Sequence, residues 1–188
     1  MFDALSTEER QILLRIARSA IEEAVMGKSS AVSEINPPLS LKEKGASFVT
    51  LTVDGELRGC IGTLEAYQPL AEDVREHAVA AALEDPRFPP VSKAELDRIH
   101  IEVSRLTAPV ELNYASGEEL LQRLRPHMDG VILRSGLRRA TFLPQVWDKI
   151  PDPEDFLDQL CYKMGVRPDA WRDSKMQVFT YQVEEFSE

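Results

Sequence analysis

Residues 47–62 constrain the fold of this chain more than any other stretch. Ser47-Phe48-Val49-Thr50-Leu51-Thr52-Val53 is rich in β-branched and aromatic residues, Asp54-Gly55 follows, and Glu56-Leu57-Arg58-Gly59-Cys60-Ile61-Gly62 returns. Asp-Gly between two β-rich runs is a strong hairpin signal, because both residues tolerate the left-handed backbone of a tight two-residue turn. The return strand is unusual in itself. Gly59 and Gly62 lie close about Cys60, and glycine is used where the backbone turns oddly or is approached closely. Arg58 stands two residues before the cysteine, so an unbroken strand would put both side chains on one face, roughly 7 Å apart.

The remaining pattern predicts helices and strands without regular βαβ alternation. Ser6-Thr7-Glu8-Glu9 reads as a capping box, and Ile12, Ile16, Ala20 and Ala24 recur at helical spacing, so a helix is predicted over 7–26 with Gly27 as its C-cap. Residues 28–45, with Ser29-Ser30 and Asn36-Pro37-Pro38, read as irregular. Pro69 opens a second helix to about Leu83, which Asp85-Pro86-Arg87-Phe88-Pro89-Pro90 ends. Ile99, Ile101 and Val103 alternate with His100, Glu102 and Ser104 as in a half-buried strand. Ser116-Gly117-Glu118-Glu119 reads as a second capping box leading a helix to about Arg125. A hairpin follows around Ser135-Gly136, then a helix capped by Asp152 and ended by Gly165. Phe179, Tyr181 and Val183 alternate in one final strand. Hairpins plus helices define an α+β fold, with an antiparallel-rich sheet flanked by helices.

Composition narrows the function classes. The chain has 188 residues and a net charge of −10. That length suits one domain or two closely packed lobes, and the acidic balance lacks the field of a general nucleic-acid binder, so no general nucleic-acid binding is predicted. Cys60 and Cys161 form neither a CxxC pair nor a metal-spaced cluster, which points to a reducing compartment. No leader-like start and no long apolar run is visible, so a cytoplasmic protein without membrane contact is expected. His77, His100 and His127 have no zinc spacing, so no metal is expected, and no cofactor motif is present. A G-x-S-x-G elbow and a Walker loop are absent.

Each chemistry-bearing residue carries two readings. Cys60 is either a nucleophile, redox thiol or attachment point favoured by Arg58, or a small buried hydrophobe. Gly59 to Gly62 has the spacing of the GxxG loop of KH domains, although a hairpin rather than a helix precedes it. Arg87 can present a two-pronged guanidinium to an anionic ligand, or pair with Asp85 to lock the turn. Glu102 shares a strand face with His100 and is a base or ligand if that face lines a cleft, and a solvated polar group otherwise. His77 reads as structural. Arg123, Arg125, His127, Arg134, Arg138 and Arg139 are either a site for phosphate or an acidic partner, or a solvated face paired with acids. Trp147 and Trp171 read as packing anchors.

As an ordered set these motifs resemble the AMMECR domain family, named for the Alport syndrome, midface hypoplasia and elliptocytosis chromosomal region. The resemblance rests on Leu57 to Gly62, on Ala80-Ala81-Ala82 with Asp85-Pro86-Arg87-Phe88, and on Ile101-Glu102-Val103-Ser104. It continues through Gly130, Phe142-Leu143-Pro144-Gln145-Val146, Phe156-Leu157, Cys161-Tyr162-Lys163-Met164-Gly165 and Trp171. Lys163-Met164-Gly165 stands where Lys-Ala-Gly is common in the family. The resemblance covers nearly the whole chain and implies one AMMECR-type domain over 1–188. It further implies two unequal lobes with a cleft between them and the signature segment near that cleft. It implies no established activity, and an association with Memo-like and radical SAM proteins. The expected site is Cys60 and Glu102 as catalytic candidates, with Arg58, Gly59, Gly62 and Arg87 as ligand contacts. The leading expectation is a binding or accessory component of a modification system. The rivals are an enzyme using Cys60 as nucleophile and an RNA-binding module.

Overall fold

The computed structural model describes residues 4–27, 35–173 and 176–188. The prediction on Ser29-Ser30 lies outside them. In chain order the regular elements are α1 (Thr7–Met26), β1 (Lys44–Val53), β2 (Glu56–Gly62), β3 (Gln68–Pro69), α2 (Leu70–Leu83), β4 (Ile99–Leu106), β5 (Val110–Glu111), α3 (Gly117–Arg123), β6 (Gly130–Ser135), β7 (Arg138–Phe142), α4 (Pro153–Met164), β8 (Gln177–Tyr181) and β9 (Val183–Ser187). Helices plus antiparallel sheets make the α+β class that the pattern predicted.

The chain divides into two compact units, Met1–Leu106 with Glu184–Glu188, and Thr107–Val183. In the first, the sheet runs β2-β1-β4-β9, with β3 paired to the start of β1. Val49, Leu51, Ile101 and Val103 are fully buried and pack with Leu13, Ile16 and Ile21 of α1 and Val74, Ala78 and Ala81 of α2. The helices therefore cover one face of the sheet, and alternation sends Thr50, Thr52, His100 and Glu102 to the other. In the second unit the sheet order is β5-β8-β6-β7. Its core joins Val131, Leu133 and Val178 to Phe156, Leu157, Leu160 and Cys161 of α4. Trp147 stacks on Phe156 at 3.6 Å between centroids, and its indole nitrogen donates to the Asp129 carbonyl, so it is the packing anchor expected.

Local signals set most boundaries. Ser6 and Glu9 close the predicted capping box of α1, and Asp152 caps α4 by accepting from the amides of Glu154 and Asp155. Asp54 (φ 54°) and Gly55 (φ 84°) make the left-handed turn of the first hairpin. Three expectations needed correction. Residues 39–42 form a 3-10 turn and β1 already begins at Lys44, within the stretch read as irregular. The second capping box is half formed: Ser116 accepts from the Glu119 amide, but the Glu119 carboxylate takes the Ala115 amide instead. The single final strand is two strands in different sheets, because Gln182 donates its amide to Thr107 Oγ1 and gives its carbonyl to the Thr107 amide.

Gly59 and Gly62 have ordinary negative φ, so they serve close approach rather than an odd turn. A Cβ at Gly59 would sit 2.1 Å from the Ala81 carbonyl oxygen, and one at Gly62 would sit 2.4 Å from both Phe48 and the Ser47 carbonyl. At Gly117 the nearest atom is a Trp171 ring carbon at 3.0 Å. Gly59→Ala and Gly62→Ala are therefore expected to cost about 3 kcal/mol each, and Gly117→Ala under about 1 kcal/mol. Thermal melts should show drops of roughly 6–12 °C for the first two and a smaller drop for the third; a larger loss at Gly117 would contradict this packing.

Candidate functional site

The register of the hairpin assembles the site. β1 pairs antiparallel with β2, placing Thr50 opposite Cys60, and with β4, placing Thr50 opposite Glu102. Cys60, Thr50 and Glu102 thus form one lateral row across three strands, on the face turned away from the helices. Strand spacing puts the outer two Cα atoms about 10 Å apart, with Thr50 between them. Thr50 Oγ1 donates to Cys60 Sγ at 3.3 Å. Cys60, Thr50 and Glu102 are all half-buried.

The backbone of Cys60 is held from outside the sheet. β2 is an edge strand, and a residue there presents an unpaired amide and carbonyl. The Cys60 amide donates to Asp85 Oδ2 at 2.9 Å, and the Cys60 carbonyl accepts from Arg87 Nη2 at 3.2 Å. Asp85 and Arg87 are themselves joined: Arg87 Nε reaches Oδ1 at 2.9 Å and Nη2 reaches Oδ2 at 2.6 Å. The Arg87 amide closes the turn onto Oδ1 at 3.0 Å. The pair therefore locks the turn, as one sequence reading had it, and also stands in for a neighbouring strand at Cys60. Asp85 is buried, and its carboxyl is held well below the usual carboxylate range, chiefly by the Arg87 side chain, with the Cys60 and Arg87 amides adding to it.

Arg58 departs from the simple alternation. Leu51 pairs with Gly59 while Thr52 pairs with Leu57, so Arg58 is the extra residue of a β-bulge. The expectation that Arg58 shares the face of Cys60 assumed an unbroken strand. Its guanidinium goes instead to Glu95, Nε to Oε1 at 2.8 Å and Nη2 to Oε2 at 3.4 Å. Glu95 also accepts from the Ser92 amide and hydroxyl, and its carboxyl is held down at about 2, first by Arg58 and then by Ser92. The cation bonded at Cys60 is Arg87, through the Cys60 carbonyl, and its own pKa is raised mainly by its bonds to Asp85.

On the third strand, burial raises the Glu102 carboxyl, the Glu185 charge adds to the rise, and His100 opposes it. Among the described residues no group of three or more His, Cys, Asp or Glu side chains is placed to hold a metal ion. Cys161 lies in the core of the second unit, where burial pushes its thiol up to about 11. His77 is structural as read: it bonds the fully buried Asp73 at 3.2 Å, and Asp73 accepts from Ser47 at 2.6 Å. Gly59 to Gly62 lies within a strand, which removes the KH-type loop geometry. In the arginine-rich segment Arg123 pairs with Glu119, Arg125 with Asp129 and His127 with Asp148. Sequence reasoning singled out neither Thr50 nor Glu95. Period-two alternation puts Thr50 on the open face, but only the register shows that it stands between Cys60 and Glu102.

The chain as a whole is similar to known proteins. The AMMECR1 family model matches residues 14–186, and the chain belongs to that family. A protein of Thermofilum pendens is 44% identical over 195 residues, covering 98% of this chain and 92% of its own length. One from Methanothermobacter thermautotrophicus is 40% identical over 189 residues, covering 98% and 96%. The crystal structure of an uncharacterized Pyrococcus horikoshii protein, PH0010, is similar with a TM-score of 0.80 and 35% identity, covering 98% of this chain and 93% of that one. No described helix is long and apolar enough to cross a membrane.

The depressed carboxyls give a signed pH dependence. Asp85 and Glu95 bind protons more weakly when folded than when unfolded. Their contribution is therefore complete above about pH 5 and is lost as pH falls toward about 2. Asp85→Asn should cost about 2 kcal/mol at pH 7, the scale of charge-assisted hydrogen bonds. Urea melts should show the gap to wild type narrowing below about pH 4 and continuing to shrink toward about pH 2; a gap constant over that range would place the stabilisation elsewhere. In thiol labelling read by mass spectrometry, native Cys60 is expected to react before Cys161.

Proposed function

We propose that this protein is a binding component of a modification system, working with the Memo-like and radical SAM partners that its family resemblance implies. The sheet face bearing Cys60, Thr50 and Glu102, with Arg58, Gly59, Gly62 and Arg87 shaping its edge strand, holds the ligand. One observation carries this over the enzyme reading: the hydrogen bond to the thiol comes from Thr50, and no carboxylate or imidazole of the described residues bonds it. A thiol nucleophile needs a base within about 2.6–3.2 Å or one water away, and Glu102 stands on the next strand but one. A hydroxyl-bonded thiol in one row with a half-buried carboxyl is instead suited to contact a bound group. The RNA-binding reading is disfavoured by the pairing of Arg123 and Arg125 with acids, since arginines neutralised by carboxylates add little net positive field to draw in a polyanion.

Co-expression of the tagged chain with a Memo-like and a radical SAM protein from one genome tests the proposal. Stable co-purification with at least one is expected, weakened about tenfold or more by Glu102→Lys and little changed by Cys60→Ser. Loss of association with Cys60→Ser, together with a covalent adduct on the wild-type thiol, would make the enzyme reading the correct one. Association with neither partner would overturn the accessory role. Labelled single-stranded RNA is expected to bind more weakly than about 0.1 mM at physiological salt; micromolar binding with a steep salt slope would promote the RNA reading.

A further inference from the structure

Arg87 is exposed and yet firmly held. Its side chain is 54% exposed, yet Nε and Nη2 are both committed to Asp85, whose side chain is only 2% exposed, and Nη2 also reaches the Cys60 carbonyl. The guanidinium also stands over the Phe88 ring, 5.6 Å from its centroid. One nitrogen is left over: Nη1 makes no hydrogen bond to the described residues. A surface arginine normally gives up rotamer freedom when it grips a ligand, and that cost is already met here by the buried carboxylate beneath it. Arg58 approaches the same ring at 5.9 Å, and its Nη1 is buried with no acceptor among the described residues. The two guanidiniums are each matched by one acid, Asp85 and Glu95. What the place offers is therefore directed N–H donors rather than net positive charge, which suits a single oxyanion and not a polyanion.

We propose that the outer edge of the Arg87 guanidinium is an oxyanion subsite beside Cys60, which receives a carboxylate or phosphate group of the ligand held on this sheet face. This rests on reading that face as the ligand-holding one. Arg87 Nη2 bonds the Cys60 carbonyl at 3.2 Å, so a small anion seated on the same guanidinium lies beside Cys60. Asp85 is the positioning residue: it fixes the guanidinium and the Cys60 amide with the same carboxylate.

The neighbouring thiol supplies the reporter. Iodoacetate and iodoacetamide both alkylate a thiolate, forming one S–C bond and releasing iodide, but only iodoacetate carries an oxyanion. The ratio of their rates at Cys60, measured by peptide mass spectrometry, is compared with the ratio for N-acetylcysteine. A ratio at least about fivefold higher at Cys60 is expected, equivalent to about 1 kcal/mol of added transition-state binding. Inorganic phosphate or acetate, at constant ionic strength, should abolish the excess. Stronger competition by phosphate assigns a phosphoryl ligand, and stronger competition by acetate assigns a carboxylate. Arg87→Lys and Arg87→Gln should bring the ratio down to that of N-acetylcysteine, with near-ultraviolet circular dichroism reporting the fold. If those variants unfold, the wild-type ratio and its competition decide alone. A wild-type ratio equal to that of N-acetylcysteine, or an excess that neither anion competes, overturns the subsite. Co-purification with the proposed partners is scored independently, so failure of the subsite and failure of the binding role are separately visible.

Discussion

The peptide groups of one residue on an edge strand organise the candidate site. Cys60 turns its amide and carbonyl to the outer side of β2, where no strand of the described residues pairs with it, and these groups would be left to water or to another chain. Asp85 and Arg87 take both. Because Asp85 is buried and paired, the turn after α2 is fixed to the edge of the sheet, and α2 is fixed with it. The close approach that results leaves no room for a Cβ at Gly59, where the Ala81 carbonyl of the same helix comes down. Two motifs far apart in sequence, Arg58 to Gly62 and Asp85 to Phe88, are thus parts of one construction. The glycine allows the helix to approach, and the ion pair satisfies what the approach leaves exposed.

The same logic recurs on the helix side of this sheet, with polar groups. Glu184 of β9 is buried and accepts from the Leu5 amide at 3.1 Å, from Arg10 at 2.7 Å and from Arg105 at 3.2 Å. It ties the entry of α1 to β4 and to the chain's last strand. Asp73 does the same between α2 and β1 through Ser47. Buried charges of this kind contribute little net stability against apolar replacements, but breaking one partner is costly. They fix which strand end meets which helix end, and so help to hold the register that places Thr50 between Cys60 and Glu102.

Much of the local structure was legible. The capping chemistry of Ser6 and Asp152 and the Asp54-Gly55 turn act within a few residues, so the pattern locates them directly. The break at Gln182 was not legible. Phe179, Tyr181 and Val183 alternate as one strand would, and only the bonds between Gln182 and Thr107, a partner 75 residues away, divide them. The site shows the same division. Arg87 and Asp85 were visible as a rigid charged turn, but nothing local tells that the turn grips the backbone of Cys60.

The sequence by itself determined the α+β class, the hairpin, the helix ends and the family, because those follow from period, cap chemistry and an ordered set of motifs. It also marked Gly59 and Gly62 as places of an odd turn or a close approach, and only the structure decided for close approach. The tertiary structure alone decided the partners. It gave Arg58 to Glu95 and Arg87 to Cys60, the reverse of what spacing along a regular strand suggests. The physical reason is the bulge: one extra residue in β2 shifts every side chain beyond it relative to β1. Whether a strand carries such a residue is settled by the pairing of the whole sheet and not by the residues next to it.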